Sequence, residues 1–140
     1  MTIIVTDAGF ADDDWTGGFI TIDGFEAGAG AQTTTGIDID PDTDLNAHRA
    51  VLLAAPIIRI GFSSFADGRG FTTAKSLRLM GFTGRLRAGP GPISDQYAMA
   101  RRAGFDEVEI SDALAARQPV EQWQFRAGWR DYDHQSRLRG

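Results

Sequence analysis

Two glycine-containing stretches of the chain combine arginine with acidic or amide side chains. The first, residues 62–73, contains the run Asp67-Gly68-Arg69-Gly70. Glycines let backbone N–H groups approach a ligand closely, and the guanidinium of arginine offers a fork of donors to an anion. A helix start that follows such a loop also attracts negative charge. The pattern predicts an anion-binding loop. In the alternative, Asp67 caps the turn and Arg69 pairs with a nearby carboxylate.

The second stretch starts at the predicted strand 85–88 and runs into the start of a helix. Arg85 and Arg87 share one face of this strand, because alternate residues of a strand point the same way. Asp95 and Gln96 lie in the first turn of the predicted helix, where a carboxylate interacts favourably with the helix dipole. In parallel α/β folds, loops that follow the carboxyl ends of strands carry the functional groups.

These two stretches allow several interpretations. In the first, both supply an anion site, whose predicted binding residues are Gly68, Arg69, Gly70, Arg87 and Gln96. In the second, the same arginines form structural ion pairs with Asp67 or Asp95. In a third, the chain is an enzyme in which Asp67 or Asp95 acts as the general base on an anionic metabolite.

Several other chemistries are excluded or unsupported. The chain has no cysteine, which excludes disulfides, thiolate nucleophiles and thiolate-bound clusters. The histidines, His48 and His134, have no nucleophile and carboxylate at a recognisable spacing. The acidic run 38–44 lacks the glycine and the closing glutamate of a calcium loop. No nucleotide-binding fingerprint is present. We therefore predict no cofactor and no metal.

The charge distribution is uneven along the chain. The net charge is −5, yet residues 1–48 hold ten acidic residues and no Lys or Arg, and thirteen of the fourteen basic residues are Arg. This balance argues against nucleic acid as a partner. The longest apolar run, residues 51–58, is far shorter than the roughly 20 residues of a membrane span. The first residues also lack the basic start of a signal peptide. We expect a cytoplasmic protein that does not bind membranes.

The elements that must position the candidate residues alternate between strands and helices. Short apolar strands are predicted at residues 36–40, 57–62, 85–88 and 108–110. Helices are predicted at 45–55 with Asp44 as cap, from 72 or 73 to 80, at 94–103, and from Ser111 or Asp112 to just before Pro119.

A short internal repeat supports this alternation. Gly81-Phe82 recurs 23 residues later as Gly104-Phe105, and in both places the glycine ends a helix and a strand follows. Connections this short require parallel strands joined by right-handed crossovers. The predicted fold is therefore α/β, with repeated βα units in an open parallel sheet or an incomplete TIM-like barrel.

We expect a single domain over residues 1–140 with three parts. Residues 1–34 form an acidic, glycine-rich lead-in with strand-like pieces at 3–6 and 19–22, and residues 35–118 form the βα core. The tail, 119–140, is rich in Trp and Arg; it packs on the body, grips a second chain, or is disordered past Asp131. An incomplete sheet has edges to hide, so we predict a homo-oligomer.

The central part of the chain resembles the bacterial domain-of-unknown-function family 934. The resemblance covers about residues 37–110. It is carried by residues 62–71, Ala74, Leu77, Arg78, residues 81–84, 86–88, Asp95, Gln96 and residues 104–106. Members are often labelled as oxidoreductases involved in sulfite reduction, so the resemblance implies a role in that pathway. Ser94 and Ala103 depart from the family pattern, which has Arg and often Cys there.

The resemblance and the residues together give a functional expectation. We expect an accessory protein of assimilatory sulfate or sulfite reduction that binds a small oxyanion or a subunit of a sulfite-reducing enzyme. The alternatives are a small enzyme with an Asp general base and a non-catalytic assembly protein. Because the chain has no thiolate to hold an iron–sulfur cluster, it is not expected to reduce sulfite alone.

Overall fold

The computed structural model describes residues 2–24, 35–62, 68–89 and 96–118. Its strands are β1 (Thr2–Thr6), β2 (Gly9–Asp12), β3 (Phe19–Thr21), β4 (Gly36–Ile39), β5 (Ile57–Ile60), β6 (Arg85–Ala88) and β7 (Glu107–Ser111). Its helices are α1 (Ile22–Gly24), α2 (Arg49–Ala54), α3 (Arg69–Met80), α4 (Tyr97–Ala103) and α5 (Asp112–Arg117). A single 3-10 turn, Asn46–His48, precedes α2.

The seven strands form one open sheet in the order β2-β1-β7-β6-β5-β4-β3. Strands β3 to β7 are parallel and adjacent in chain order, whereas β1 is antiparallel to both β7 and β2. Each parallel strand lies next to the strand that precedes it in sequence, and the order across the sheet always advances towards the same edge. Right-handed crossovers therefore place the helices on one face of the sheet. The predicted α/β class is confirmed; the TIM-like alternative is not.

The face of the sheet that carries the helices is apolar. Alternate residues of the parallel strands point into this core, where they meet side chains such as Leu52 of α2, Leu77 of α3 and Ala100 of α4. These strand residues are Ile37, Ile39, Ile58, Ile60, Leu86, Ala88, Val108 and Ile110. Three aromatic rings, those of Phe62, Phe71 and Phe105, add to it with centroids 5.2 to 6.5 Å apart.

The predicted repeat is confirmed in its details. Gly81 and Gly104 end α3 and α4 in the left-handed conformation, with φ of 107° and 114°. In both cases the next residue, Phe82 or Phe105, donates its N–H across the last helical turn at 3.1 Å and buries its ring. These are Schellman helix ends. The two units are also tied together, because Arg78 donates to the carbonyl of Gly104 as well as to that of Phe82.

Helix starts differ from the sequence prediction more than helix ends do. Asp44 caps as predicted, accepting from the N–H of Ala47 at 3.3 Å, and Ser111 accepts from Leu114 at 3.1 Å. The predicted helix 45–55 is instead a 3-10 turn followed by the shorter α2. Helix α3 begins earlier than predicted, at Arg69, and Thr73 fixes this turn by donating to the carbonyls of Arg69 and Pro41.

Residues 2–24 contribute more structure than the predicted lead-in. Three strands lie here, and β1 is an internal strand between β2 and β7. Strand β1 can lie inside the sheet because it has apolar side chains on both faces. Ile3 and Val5 pack on the helix-side core, and Ile4 is buried on the opposite face. The edges of the described sheet are then β2 and β3. The homo-oligomer stays a prediction, and the tail, 119–140, lies outside the described residues.

None of the helices among the described residues is both long enough and apolar enough to cross a membrane.

Gly70 gives a test of core packing. A Cβ at this position would lie 2.4 Å from the ring of Phe62, which is itself packed against Phe71 and Phe105. We expect Gly70→Ala to destabilise the protein, because overpacking costs about 1–3 kcal/mol and exceeds the gain of up to about 1 kcal/mol in helix propensity. The measurement is the free energy of unfolding in urea.

Gly68, two residues earlier, provides the matched control. In the described part of the chain no heavy atom lies within 4 Å of a Cβ built there, and its φ is −84°. Gly68→Ala should change the free energy of unfolding by no more than about 0.5 kcal/mol. Equal effects of the two substitutions would contradict the packing explanation.

Candidate functional site

The face of the sheet opposite the helices carries charged side chains. Asp38 of β4 pairs in register with Arg59 of β5, Arg59 with Arg87 of β6, and Arg87 with Glu107 of β7. Four charged residues from four neighbouring parallel strands thus form a straight row, here called the charged row. Parallel sheets are usually apolar on both faces, so a row of charged residues across four parallel strands is unusual. Arg87 and Glu107 are buried, and Arg59 and Asp38 are partly exposed.

Ion pairs hold the charged row together. Arg59 donates to both carboxylate oxygens of Asp38, at 2.6 and 2.7 Å, and to Glu109 at 3.0 Å. Arg87 is completely buried and donates to Glu107 at 2.5 Å and to Glu109 at 3.2 Å. The hydrogen bond with Asp38 is the main cause that raises the pKa of Arg59 above its usual value.

A segment from the N-terminal part of the chain covers part of this face. Residues 13–19, here called the N-terminal strap, bring Asp13 onto Arg87 with two hydrogen bonds of 2.9 and 3.0 Å. Asp14 pairs with Arg85 at 2.5 Å. The ring of Phe19 lies over the guanidinium of Arg59, with 4.0 Å between the guanidinium carbon and the ring centroid.

The strap carboxylates are held in their charged form. For Asp13, burial by itself would raise the pKa, but the hydrogen bonds from Arg87 and from the backbone of Trp15 outweigh it and keep the pKa below its usual value. For Asp14, the hydrogen bond from Arg85 lowers the pKa directly. The strap is therefore attached to the sheet as a pair of anions.

Beyond the strap, at the carboxyl ends of the strands, the charged face opens into a cleft of about 710 Å³. Its lining residues are Thr21, Ile22, Asp23, Asp38, Ile39, Asp40, Thr43, Arg59, Gly61, Gly89 and Glu109. Gly61 and Gly89 each follow the last residue of a strand and continue the parallel ladder, donating to Ile39 and Ile60. Two adjacent strands thus end without side chains, and their backbone forms the floor of the cleft.

The cleft is predominantly acidic. Among the residues that the structure describes, four carboxylates line it, those of Asp23, Asp38, Asp40 and Glu109, and one guanidinium, that of Arg59. Arg59 is engaged by Asp38 and Glu109. Asp23 and Asp40 are exposed and form no ion pair within the part of the chain that the structure describes. The arrangement favours a ligand that supplies hydrogen-bond donors or positive charge. No cluster of metal-binding side chains is found among the described residues.

The predicted arginines lie in different layers of the fold. Arg69 begins α3 in the helix layer, is more than half exposed, and donates twice to Asp42 at 2.7 and 2.8 Å. Arg87 lies on the opposite face of the sheet among Asp13, Glu107 and Glu109, so the carboxylates that the structure describes around the two guanidinium groups are different ones. For Arg87 the geometry agrees with the structural ion pair that the sequence left open as an alternative, with different carboxylates as partners.

The remaining predicted site residues have separate surroundings. Gly70 faces the ring of Phe62 in the core, whereas Gly68 has open space beside it. Gln96 lies directly before α4. Asp67 and Asp95 lie outside the described residues. Anion binding by Gly68, Arg69, Gly70 and Gln96 stays a prediction, as does catalysis by either aspartate.

Sequence reasoning missed the residues that form the cleft. From the sequence alone no role is assigned to Arg59 or Glu109, and Asp38 is considered only as part of the acidic run 38–44. A signal was present: in four apolar strands the charged residues are flanked by apolar ones, one charged residue in each of 36–39 and 57–60 and two, at alternate positions, in each of 85–88 and 107–111. That period of two places them all on one face of the sheet.

The burial of Arg87 predicts a large cost of removing it. Arg87→Met should lower the free energy of unfolding by about 3–5 kcal/mol, because buried carboxylates lose a charged partner. The matched control is Arg69→Met, which removes an exposed ion pair and should cost no more than about 1 kcal/mol. Both values are measured by urea denaturation. A smaller loss for Arg87→Met than for Arg69→Met would contradict the assigned roles.

Comparison with known proteins gives a family. The sequence pattern described as "Bacterial protein of unknown function (DUF934)" matches residues 36–137. No curated protein matches the chain. The matched part contains β4 to β7 and the whole charged row, whereas β1, β2, β3 and the strap precede it. Since the match covers well over half of its length, the chain belongs to the bacterial family of unknown function DUF934.

Proposed function

We propose that this protein is a small-molecule-binding accessory of bacterial sulfite reduction, and that its ligand binds in the cleft at the carboxyl ends of β3 to β7. The cleft itself carries the proposal. Ligand sites in parallel α/β folds lie at this edge of the sheet, because strand ends and helix starts converge there.

The glycine floor supports binding in the cleft. Gly61 alternates with Arg59, so a side chain at position 61 would point into the cleft. No described heavy atom lies within 4 Å of a Cβ built on Gly61. Nothing in the described packing requires glycine here, and the space that a side chain would fill is available to a ligand.

The walls define the class of ligand. In the described lining, carboxylates outnumber guanidinium groups four to one, and the guanidinium of Arg59 is already paired with Asp38 and Glu109. The hydroxyl oxygens of Thr21 and Thr43 each accept a backbone N–H, which fixes them in the wall. A small amine or a polyhydroxylated molecule complements this lining better than a free oxyanion does.

The pathway part of the proposal has a different basis. The link to sulfite reduction comes from the label that members of this family often carry, and the description of the matched family names no function. The absence of cysteine from the chain argues for an accessory role, because a thiolate-bound redox cluster would have to be held by another protein.

A second candidate function is that of a small enzyme. The exposed carboxylates of Asp23 and Asp40 have no ion-pair partner among the described residues, and a carboxylate in a cleft of this kind can act as a general base. This alternative differs from simple binding in one observable. If the protein is an enzyme, incubating it with the bound molecule yields a product that mass spectrometry detects.

Filling the cleft tests the site. We expect Gly61→Leu to abolish ligand binding with little effect on folding, because the leucine would occupy free space above the floor. The measurement is the melting temperature in the presence of a panel of small molecules: putrescine, lysine, glucosamine, sulfite and sulfate. A ligand of the folded state raises the melting temperature by mass action. The amines should stabilise the unmodified protein and not the variant.

Gly68→Leu is the control for this experiment. It adds the same side chain at another open glycine, in the loop that the sequence predicted as an anion site. It should leave stabilisation by amines unchanged. If no compound in the panel raises the melting temperature of the unmodified protein, or if both variants lose binding equally, the cleft is not the binding site.

The accessory role is tested in cells. We expect a sulfite-reducing enzyme to co-purify with the tagged protein from bacteria grown on sulfate as the sulfur source, because an accessory protein has to contact the enzyme that it serves. The control is the same purification from cells grown on cysteine, in which assimilation of sulfate is not needed. Recovery of no sulfur-assimilation protein under either condition would count against the pathway assignment.

A further inference from the structure

The two arginines of β6 lie directly beneath the N-terminal strap. Arg85 and Arg87 project from the same face of the strand, and each is bound by one strap carboxylate: Arg85 by Asp14 and Arg87 by Asp13. Each arginine also donates its Nε–H to a different carboxylate oxygen of Glu107, Arg85 to Oε1 and Arg87 to Oε2, at 2.5 Å in both cases. Glu107 therefore holds the two guanidinium groups side by side. Each of them also donates to a strap carboxylate, and Arg87 donates in addition to Glu109 at 3.2 Å.

On the charged face, the positive and negative side chains of the described strands are equal in number without the strap. The charged face contains three guanidinium groups and three carboxylates that belong to the strands themselves: Arg59, Arg85 and Arg87, and Asp38, Glu107 and Glu109. Asp13 and Asp14 add two negative charges to this neutral set. They are therefore additional anions bound by arginines whose charge is already compensated, and not the counter-ions on which the sheet depends.

Asp13 binds Arg87 in the way that a free oxyanion would. Its two carboxylate oxygens receive the two terminal nitrogens of the guanidinium, at 2.9 and 3.0 Å, while Glu107 takes the inner nitrogen. Sulfate, phosphate and carboxylate groups all accept this forked pair of hydrogen bonds. The side chain of Asp13 is 27% exposed, so the fork opens towards solvent.

The strap is attached mainly by side chains. Before β3 begins at Phe19, the one backbone hydrogen bond from the strap to the sheet among the described residues is that of Gly18, whose carbonyl accepts from the N–H of Gly36 at 3.0 Å. Asp14 is 72% exposed. Gly17 and Gly18 precede β3, and Gly18 has a φ of 68°, so the backbone at this end can change conformation more easily than a stretch of bulkier residues.

We propose that Arg85 and Arg87 form a binding site for a small oxyanion, and that Asp13 and Asp14 of the strap occupy this site as internal substitutes for it. An oxyanion that enters displaces the strap carboxylates and releases the strap from the sheet. This site is separate from the cleft, so the inference does not depend on the proposed function. It also differs from the sequence prediction, because Arg87 acts with Arg85 and not with Arg69.

Removal of the internal competitor tests the proposal. In the unmodified protein an oxyanion must compete with Asp13. Its apparent affinity is the intrinsic affinity multiplied by the fraction of molecules with an open strap, and this fraction is small. We expect Asp13→Ala to bind sulfate about tenfold or more tightly than the unmodified protein does. The measurement is the sulfate concentration that gives half of the saturable rise in melting temperature, with sodium chloride used to keep the ionic strength constant.

Asp12→Ala is the matched control, because it makes the same charge change one residue earlier, where the side chain forms no ion pair with the described residues. Sulfate stabilises most proteins non-specifically through exclusion from their surfaces. That effect should be equal in the control and in the unmodified protein. An equal sulfate response in Asp13→Ala as well would overturn the proposal.

A second measurement covers the case in which Asp13→Ala does not fold. Asp14→Ala removes the more exposed carboxylate, and the side-chain N–H signals of Arg85 and Arg87 can be followed by NMR during the addition of sulfate. Saturable shifts of both signals, at lower sulfate concentration than in the unmodified protein, support the site. Signals that do not respond in the variant would refute it.

Discussion

A guanidinium group in the centre of a parallel sheet constrains everything around it. Arg87 is fully buried, and an isolated charge in that position would cost several kcal/mol. Carboxylates must therefore surround it, and the neighbouring strand β7 supplies Glu107 and Glu109. The third carboxylate, that of Asp13, comes from a segment 74 residues away in sequence. This one side chain thus links the βα core to the N-terminal part of the chain.

The same constraint separates the two faces of the sheet. Helices cover the apolar face, as right-handed crossovers in a single direction require. On the charged face, the described residues form ion pairs and the N-terminal strap, and no described helix covers them. The strap stops before the carboxyl ends of the strands, where Gly61 and Gly89 leave the backbone uncovered. Among the described residues, the cleft therefore lies where the strap no longer covers the charged face.

Local features of this fold could be predicted from the sequence, and long-range ones could not. Helix ends at Gly81 and Gly104, the cap at Ser111 and the parallel strands all depend on short-range patterns of residues. The pairing of Arg59 with Asp38 depends on the register between strands, which tertiary packing determines. For the same reason the sequence does not reveal that Arg69 pairs with Asp42 and Arg87 with Asp13, because equivalent loop positions do not imply that side chains share a face.

The internal position of β1 has a consequence for biosynthesis. Ile3 lies opposite Ile110, so strands made about a hundred residues apart must find each other. A ribosome releases the first strand long before its partner β7 has been synthesised, and contacts this distant in sequence form slowly. Until then the nascent hairpin of β1 and β2 has an apolar side without cover. We therefore expect the newborn chain to be most susceptible to aggregation and to chaperone binding just before translation reaches the last strand.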